Sequence, residues 1–404
     1  MKSNPLNPDQ LQNDRSRSFV DASRIARIDY RDPDLCPLVS VVVPIFDADH
    51  TLDEALASIE VQTMADLEIV CVNDASPDSS AQIIAAHAAN DPRYVVVEHG
   101  RNCGYGASMN DGISVSRGTW IAILEPDDYL LPTMYERLCA APALFGADAD
   151  QVDIVKSPYI RELRAPGTKR GDRPKEFLNC RYRGRVKPAS QPFTLADPGA
   201  SHLLRHHPSI WSALYQRAFL AENEIRFHEY PGSGWADNEF FYDTLLRAQS
   251  VVYLDEPFYV YREETEEEFA TFARDRKLLR FERWQGMADI IDELGIDAPS
   301  VRAAHVSKGF SYLNEALVVW GEDDPDVQDA ARALFARMDA SLVAGEARVA
   351  PALKARYFKA RGIDYDPARD RLRYYRALAK ELLHTYRSNG AAYAFDQVKS
   401  VIGR

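Results

Sequence analysis

Apolar and polar positions follow a regular order between Leu38 and about residue 128. Four β-branched apolar runs, typical of strands buried on both faces, alternate with segments of about a dozen residues that have helical spacing. The runs are VSVVVPIF, LEIVCVN, RYVVVEH and TWIAI, and the segments between them are DEALASIEVQT, SSAQIIAAHAAND and GASMNDGISVSRG. Strands that alternate with helices in this way predict parallel β-α-β units and therefore an α/β fold with a mostly parallel sheet.

Acidic side chains directly follow three of these four runs. Asp47 follows the first run, Asp74 follows the second, and the tetrapeptide Glu125-Pro126-Asp127-Asp128 follows the fourth. Ligands of such sheets bind beyond the carboxyl ends of the strands. We therefore expect these acids to face one ligand-binding crevice.

Two interpretations of the tetrapeptide stay open when it is taken alone. Three carboxylates within four residues repel one another and lose hydration at a cost unless a cation or solvent compensates. The first interpretation is a polar turn that caps the next helix. The second is a site for Mg²⁺ or Mn²⁺, which prefer carboxylate oxygens together with substrate phosphates. The repeated occurrence of acids at one edge of the sheet favours the second.

The remainder of the chain is less regular. VDIVKSPYI predicts one strand among long loops, a block of mixed helix and strand signals follows, and helical spacing dominates from about residue 266 onwards. We therefore divide the chain into a polar N-terminal tail (1–36), an α/β domain (37–265, with halves 37–134 and 135–265) and a helical C-terminal domain (266–404).

The last helical segment, RLRYYRALAKELLHTYRSNG, mixes basic residues with aromatic residues and leucines. One interpretation is a helix that lies on an anionic membrane and brings the protein to a lipid-linked molecule. The other is a helix that packs on its own domain with a solvated charged face.

Composition excludes several classes of protein. The 404-residue chain has a formal net charge of −13, which argues against non-specific nucleic-acid binding. Its five cysteines contain no C-x-x-C pair and predict reduced thiols without a zinc site. A secretory signal is not evident, and no apolar run reaches the ~18 residues of a membrane-spanning helix. We expect a soluble cytoplasmic protein, or one bound peripherally to the inner face of the membrane.

Three nucleotide-binding motifs are absent. GRNCGYGASMNDG lacks the G-x-G-x-x-G spacing and follows the third predicted strand, so a Rossmann dehydrogenase is excluded. A Walker A lysine loop does not occur. The first strand is followed by PIFDADHT, without the glycine-rich loop expected of a nucleotidyltransferase.

Several motifs in order resemble a known family. VSVVVPIFDADHTLDEALASIEVQTMADLEIVCVNDASPDSS and NCGYGASMNDGISVSRGTWIAILEPDDYL are similar to the nucleotide-binding half of family-2 glycosyltransferases with a GT-A-type fold. The similarity is close over about residues 37–134 and looser to residue 264, through WADNEFFYDTLL and EPFYVYR. It implies a UDP-sugar donor, a Mn²⁺ or Mg²⁺ ion, and a glycan or lipid-linked acceptor in surface polysaccharide assembly.

The resemblance also implies roles for individual residues. Asp127 would be the metal ligand, and Asp237 in WADNEFF would be the general base. Trp211 would shape the acceptor side, with Glu239 as an alternative base there. The residues expected at the nucleotide-sugar are Pro44, Asp47, Asp74, Asn102, Gly106, Asn110, Glu125, Asp127 and Arg262.

The chain departs from the family pattern at two of these positions. The first acid of the D-x-D element is Glu125, and the usual Glu-Asp pair at the base site is Ala236-Asp237. One base with direct displacement implies inversion at the anomeric carbon, because retention through a covalent intermediate needs a second nucleophile. The departures leave a second interpretation open, a non-catalytic protein that binds sugar nucleotides or glycans.

Overall fold

The computed structural model describes residues 25–31, 37–163, 176–232, 234–263 and 276–402. Most of the predicted polar tail, the basic segment 164–175 and the predicted boundary between residues 265 and 266 lie outside the described residues.

The centre of the protein is an eight-stranded sheet in the order β1-β4-β3-β2-β5-β10-β7-β11. Strands β2 to β5 are parallel to one another, β7 and β11 are parallel, and β1 and β10 run antiparallel to their neighbours. The strands are β1 Ile25–Asp29, β2 Val39–Ile45, β3 Leu67–Asn73, β4 Tyr94–His99, β5 Trp120–Ile123, β7 Ile154–Lys156, β10 Ala213–Gln216 and β11 Val251–Tyr253.

The first half of the sheet has the predicted order of elements. Every residue of β2, β3 and β5 is buried, as their β-branched apolar sequences predict for strands covered on both faces. The intervening helices are α1 Leu52–Glu60, α2 Ser80–Ala88 and α3 Tyr105–Val115. The prediction of a mostly parallel α/β sheet is confirmed.

Two local predictions are wrong. The polar N-terminal segment contains β1, which pairs antiparallel with β4 at the edge of the sheet. An edge strand buries little apolar surface, so its sequence lacks a hydrophobic run. VDIVKSPYI forms two strands in different sheets rather than one. Proline at 158 has no backbone N–H to donate to a ladder, and the chain passes at this point from Ile154–Lys156 in the large sheet to Tyr159–Leu163 in the smaller one.

A smaller sheet in the order β6-β12-β8-β9 lies beyond the carboxyl end of β5. Strand β12 pairs parallel with β8 and antiparallel with β6, which begins directly after the acidic tetrapeptide. The strands are β6 Tyr129–Leu130, β8 Tyr159–Leu163, β9 Glu176–Asn179 and β12 Tyr259–Glu263. Strand β12 of this sheet bonds to the tetrapeptide through Tyr259 and Arg262.

Further helices follow the central sheet. Helix α6 contacts α7, and α8 contacts a short 3₁₀ helix at Ala200–Arg205, so the helical part is docked on the α/β domain. None of the described helices combines the length and apolar character that crossing a membrane requires. The bounds are α4 Met134–Leu144, α5 Arg217–Glu222, α6 Asp237–Arg247, α7 Leu279–Glu293, α8 Pro299–Trp320, α9 Pro325–Ala336, α10 Ala340–Gly345, α11 Pro351–Ala360 and α12 Pro367–Ile402.

Candidate active site

The predicted strand-end acids meet at one edge of the central sheet. Asp47, Asp74 and Glu125 follow β2, β3 and β5, which are neighbours and run parallel. The turns after β2 and β3 contain left-handed backbone at Asp47 (φ 54°) and Ala75 (φ 56°). Residues other than glycine rarely adopt this backbone conformation, and those that do occur most often at functional sites. The edge where the acids meet is therefore the candidate cleft.

The acids of the tetrapeptide have different environments. Glu125 is half-buried, and its Oε1 accepts a hydrogen bond of 2.6 Å from the Tyr105 hydroxyl at the start of α3. Burial raises the pKa of Glu125 to about 8, and the charges of Asp127 and Asp237 add to the effect. Asp127 is exposed at the mouth of the cleft. These two acids form the part of the motif that faces solvent.

Asp128 is fully buried and braces the loop. It accepts hydrogen bonds from the Tyr259 hydroxyl (2.7 Å) and from the backbone N–H of Arg262 (2.8 Å), both on β12. Burial, together with the charge of Asp127, raises its pKa. The turn interpretation thus holds for Asp128, whereas Glu125 is half-buried and Asp127 is exposed to solvent.

Arg262 is buried against the acidic loop. Its side chain is 8% exposed and donates to the backbone carbonyl of Asp127 at 3.0 Å. The guanidinium also pairs with Glu54 and lies 3.5 Å from Glu162. Because two carboxylates neutralise it, Arg262 holds the acidic loop against β12 rather than presenting a free cation to the cleft.

Asp237 lies at the first residue of α6, where a helix N-terminus favours a negative charge. The Asn238 amide donates to its Oδ1 at 3.2 Å. Burial raises the pKa of Asp237 to about 6, and the nearby Lys308 ammonium partly opposes that rise. The charge of Asp237 in turn raises the pKa of Tyr105 and of Glu125. The predicted base therefore shares the cleft with the tetrapeptide.

Helix α8 contributes two residues that sequence reasoning missed. Lys308 is 6% exposed and donates to the His206 carbonyl at 3.0 Å, and burial lowers its pKa to about 8. The Tyr312 hydroxyl donates to the side-chain carbonyl of Asn238 at 3.0 Å. The available signal was spacing, because Lys308 and Tyr312 lie seven and eleven residues after Val301, on the apolar face of the helix.

Asp74 organises the loop before α3 rather than facing the cleft with a free carboxylate. It is 3% exposed, and it accepts hydrogen bonds from the N–H groups of Cys103 (2.7 Å) and Gly104 (2.8 Å) and from His99 (2.6 Å). The other ring nitrogen of His99 lies 3.0 Å from Asp111. Burial would lower the pKa of His99, but the bonds to the two carboxylates outweigh it and raise that pKa to about 9. The predicted contact of Asp74 with the nucleotide base stays a prediction.

The ligand atoms of Asp74, His99 and Cys103 lie within 4.8 Å of one another. A histidine that binds a metal ion must have a neutral imidazole ring with a free lone pair. Both nitrogens of His99 bond to carboxylates, and the raised pKa keeps the ring protonated. This cluster is therefore a buried ion-pair network and not a metal centre.

Two residues predicted at the nucleotide fix α3 to a neighbouring segment instead. The Asn110 amide donates to the Phe227 carbonyl at 2.9 Å, and its oxygen accepts from the Phe227 N–H at 3.0 Å. A Cβ at Gly106 would lie 2.1 Å from the His228 carbonyl oxygen, so this glycine permits a close backbone approach. Asn102 is exposed in the loop before α3, and Pro44 is buried within β2.

The two residues predicted on the acceptor side are buried. Trp211 is 3% exposed and stacks between Tyr259 and Tyr261, at centroid distances of 4.0 and 5.3 Å. Glu239 is 1% exposed and lies 3.3 Å from the Arg283 guanidinium of α7. In this structure Trp211 packs against Tyr259 and Tyr261, and Glu239 connects α6 to α7, while their predicted roles on the acceptor side stay predictions.

The donor set of the cleft fits a divalent cation. Asp127 offers an exposed carboxylate, and Glu125 lies two residues before it at the same strand end. Burial is the main cause of the raised pKa of Glu125, and the charges of Asp127 and Asp237 add to it, so several acidic groups lie near one another in the cleft. Carboxylate oxygens suit Mg²⁺ or Mn²⁺, which complete their coordination with substrate phosphates.

The fold and the acidic cleft together define a GT-A-type glycosyltransferase domain. Residues 40–195 match the family model described as glycosyl transferase family 2, and this segment is a domain of that family. The match confirms the family expected from the sequence motifs.

Similar proteins agree with the family. The chain is 31% identical over 241 residues to the uncharacterized glycosyltransferase EpsJ of Bacillus subtilis, covering 57% of this chain and 62% of that protein. It is 34% identical over 198 residues to the succinoglycan biosynthesis protein ExoO of Rhizobium meliloti, covering 48% and 52%. The matches thus span half to three-fifths of these relatives.

Among solved structures, S. aureus TarS 1–349 in complex with UDP-GlcNAc superposes with a TM-score of 0.60 at 17% identity. The alignment covers 86% of this chain and 91% of that one. Similarity at this level of identity concerns the fold, and it confirms the expected GT-A-type architecture.

Proposed function

We propose that the protein is an inverting, metal-dependent glycosyltransferase that moves a sugar from a UDP-sugar to a hydroxyl group of a glycan or lipid-linked acceptor. The observation that supports the proposal is that Glu125 and Asp127 follow β5 at the carboxyl edge of the sheet, where the Tyr105 hydroxyl bonds to Glu125 and the charge of Asp237 raises the pKa of both of these groups. Sugar transfer has two electrostatic requirements. We assign one to Glu125 and Asp127 at the end of a strand and the other to Asp237 at the start of a helix.

The first requirement is to stabilise the leaving diphosphate. Asp127, with Glu125 beside it, would hold a divalent cation, and that cation would supply Lewis-acid stabilisation of the phosphate charge. Binding of UDP-GlcNAc by TarS supports a uridine nucleotide as the donor's carrier. The Tyr105 hydroxyl fixes the Glu125 carboxyl at 2.6 Å and so orients the donor side of the cleft.

The second requirement is to remove the proton of the attacking hydroxyl. Asp237 would accept it as a general base, a contribution typically worth about 10²–10⁴-fold. Lys308 and the N-terminus of α6 favour the ionised carboxylate that this step needs. Direct displacement with a single base inverts the anomeric configuration.

The acceptor and pathway are proposed from the relatives. ExoO is described as a succinoglycan biosynthesis protein, which supports a role of this chain in the assembly of a surface polysaccharide. The buried positions of Trp211 and Glu239 leave the acceptor-binding residues to be identified by experiment.

The test is transfer by purified protein with UDP-sugars and Mn²⁺ or Mg²⁺. We expect Asp237→Asn to lose about 10²-fold or more of the turnover and to keep UDP binding. Asp243→Asn, two turns later on the same helix, is the matched control and should transfer normally. Asp237 is not the base if its variant transfers sugar at the rate of the wild type.

A second experiment addresses the cation. We expect Asp127→Asn to weaken Mn²⁺-dependent UDP binding by about tenfold or more, because a charged ligand is lost. Asp66→Asn, at the opposite end of β3, should bind like the wild type. Equal Mn²⁺ dependence in both variants would remove Asp127 from the metal site.

A non-catalytic protein that binds sugar nucleotides is the second candidate, and Glu125 and Ala236 favour it as departures from the family pattern. It predicts saturable UDP-sugar binding with no UDP release, with or without acceptor. UDP release that requires both acceptor and Asp237 would exclude this candidate.

A further inference from the structure

Helix α12 is attached to the α/β domain by one face. The Arg185 guanidinium pairs with Glu381 at 2.6 Å, and the backbone N–H of Asn179 in β9 donates to the Asn389 side chain at 2.7 Å. The Arg161 guanidinium of β8 donates to the Tyr393 hydroxyl at 2.9 Å. Gly390 has non-helical backbone (φ 83°), so the contacts of Glu381 and Asn389 are the ones that fix the rotation of the segment before it about its axis.

The opposite face carries a row of exposed apolar side chains, called here the apolar row. Leu372 is 61% exposed, Tyr375 63%, Leu383 48% and Tyr386 55%, and Ala379 between them is also exposed. Their spacings of three, four, four and three residues place them on one face of the helix. Contiguous apolar surface of this kind marks an interaction site.

A row of cations, called here the basic row, runs along one flank of the apolar row. Arg369, Arg376, Lys380 and Arg387 are exposed, and their spacings of seven, four and seven residues keep them in line. Residues 366–404 contain eight Lys or Arg and four Asp or Glu, in a chain of net charge −13. The helix is therefore a basic surface on an acidic protein.

The apolar row and the basic row together distinguish among three possible binding partners of this helix face. A second copy of the helix would bring two basic rows towards each other, and like charges oppose that contact. Nucleic acid would satisfy the cations and leave the leucines and tyrosines without a role. An anionic bilayer accepts both, because acyl chains take up the apolar row while headgroup phosphates meet the basic row.

We propose that this face of α12 binds the surface of an anionic phospholipid bilayer, with the helix axis parallel to the membrane. The proposal does not depend on the transferase activity. Because the contacts to β8, β9 and Arg185 hold the other face, membrane binding would fix the orientation of the α/β domain relative to the bilayer.

The test is co-sedimentation of the full chain with phosphatidylcholine vesicles, with and without phosphatidylglycerol at about one lipid in three. We expect binding at least about tenfold stronger to the anionic vesicles, and weaker binding as salt rises. No binding of the wild type to anionic vesicles would overturn the proposal.

Variants separate the two rows. Leu372→Gln combined with Leu383→Gln should reduce binding to both kinds of vesicle by about tenfold or more. Arg376→Gln combined with Lys380→Gln and Arg387→Gln should remove the preference for anionic lipid. Val318→Gln and Arg332→Gln change an exposed valine on α8 and an exposed arginine on α9, and are the matched controls.

Far-ultraviolet circular dichroism establishes that each variant is folded. Equal vesicle binding by the wild type and the Leu372/Leu383 variant would overturn the proposal. The proposal would also be overturned if neither form bound vesicles and the wild type self-associated while this variant did not. The second result would assign the apolar row to another copy of the chain.

Discussion

Lys308 provides the sharpest test of how the helical part acts on the cleft. The residue comes from α8, far from Asp237 in sequence, yet its ammonium lowers the pKa of that carboxyl against the effect of burial. Lys308→Met keeps most of the side-chain volume and removes the charge. We expect the pKa of Asp237 to rise from about 6 by roughly one unit, the usual size of the effect of one nearby charge.

The consequence is a change in the shape of the pH–rate profile. With a pKa of about 6, half of Asp237 is ionised at pH 6. A pKa higher by one unit leaves about one-tenth ionised, so transfer at pH 6 should fall about fivefold while transfer at ~pH 8 changes by less than ~20%. The assay is kcat between ~pH 5 and 8, at fixed Mn²⁺ and saturating donor.

The control is Lys354→Met. Lys354 is also a buried lysine, 1% exposed, but it bonds to Asp370 at 2.7 Å within the helical part. We expect this variant to lose stability and to keep the wild-type pH profile. Because Glu125 titrates in the same cleft, an apparent pKa belongs to the coupled set, and only the difference between variants is assigned to Lys308. An acid limb that stays in place in Lys308→Met, or a uniform loss of rate at every pH, would refute the electrostatic role.

Three further predictions concern stability, each measured by thermal or urea unfolding. Gly106→Ala should lower the free energy of unfolding by about 1–3 kcal/mol, because the added Cβ would lie 2.1 Å from a backbone oxygen. Gly100→Ala should not lower it, because a Cβ at this position would have no neighbouring atom within 4 Å. The pKa of His99 is raised above its unfolded value to about 9. Its contribution to the free energy of unfolding is therefore complete below ~pH 6.5 and is lost as the pH rises towards 9. His99→Gln should make the free energy of unfolding depend less on pH over this range. Trp211→Ala should cost about 3–5 kcal/mol as a core residue, and an unchanged midpoint with weaker acceptor binding would restore its predicted role.

The extent to which sequence predicted this structure follows from the range of the interactions involved. The β-branched runs of β2 to β5 report burial directly, so the parallel half of the sheet followed from local pattern. Strand β1 has no such pattern because it lies at the edge, and its pairing with β4 is a long-range contact. The break between β7 and β8 was signalled only by Pro158.

The cleft divides in the same way. That acids collect at one edge could be predicted, because parallel neighbours end at the same side. The sequence could not predict which carboxylates are exposed and which are buried, because their burial depends on partners that are distant in sequence. Asp128 is bound by β12, 131 residues or more away, and Asp74 by a loop about 30 residues away.

The same reasoning applies to the burial of Glu239 and Trp211. Their types and motif positions are those of functional residues, but the partners that bury them, Arg283 on α7 and Tyr259 on β12, come from other parts of the chain. The helical part therefore does more than extend the α/β domain. It supplies Lys308 and Tyr312 to the surroundings of Asp237 and neutralises Glu239 behind it, so a chain that ended before α7 would leave a carboxylate buried without its cation. We infer that the cleft and the helices form one cooperative unit, and that the α/β domain without them is unstable.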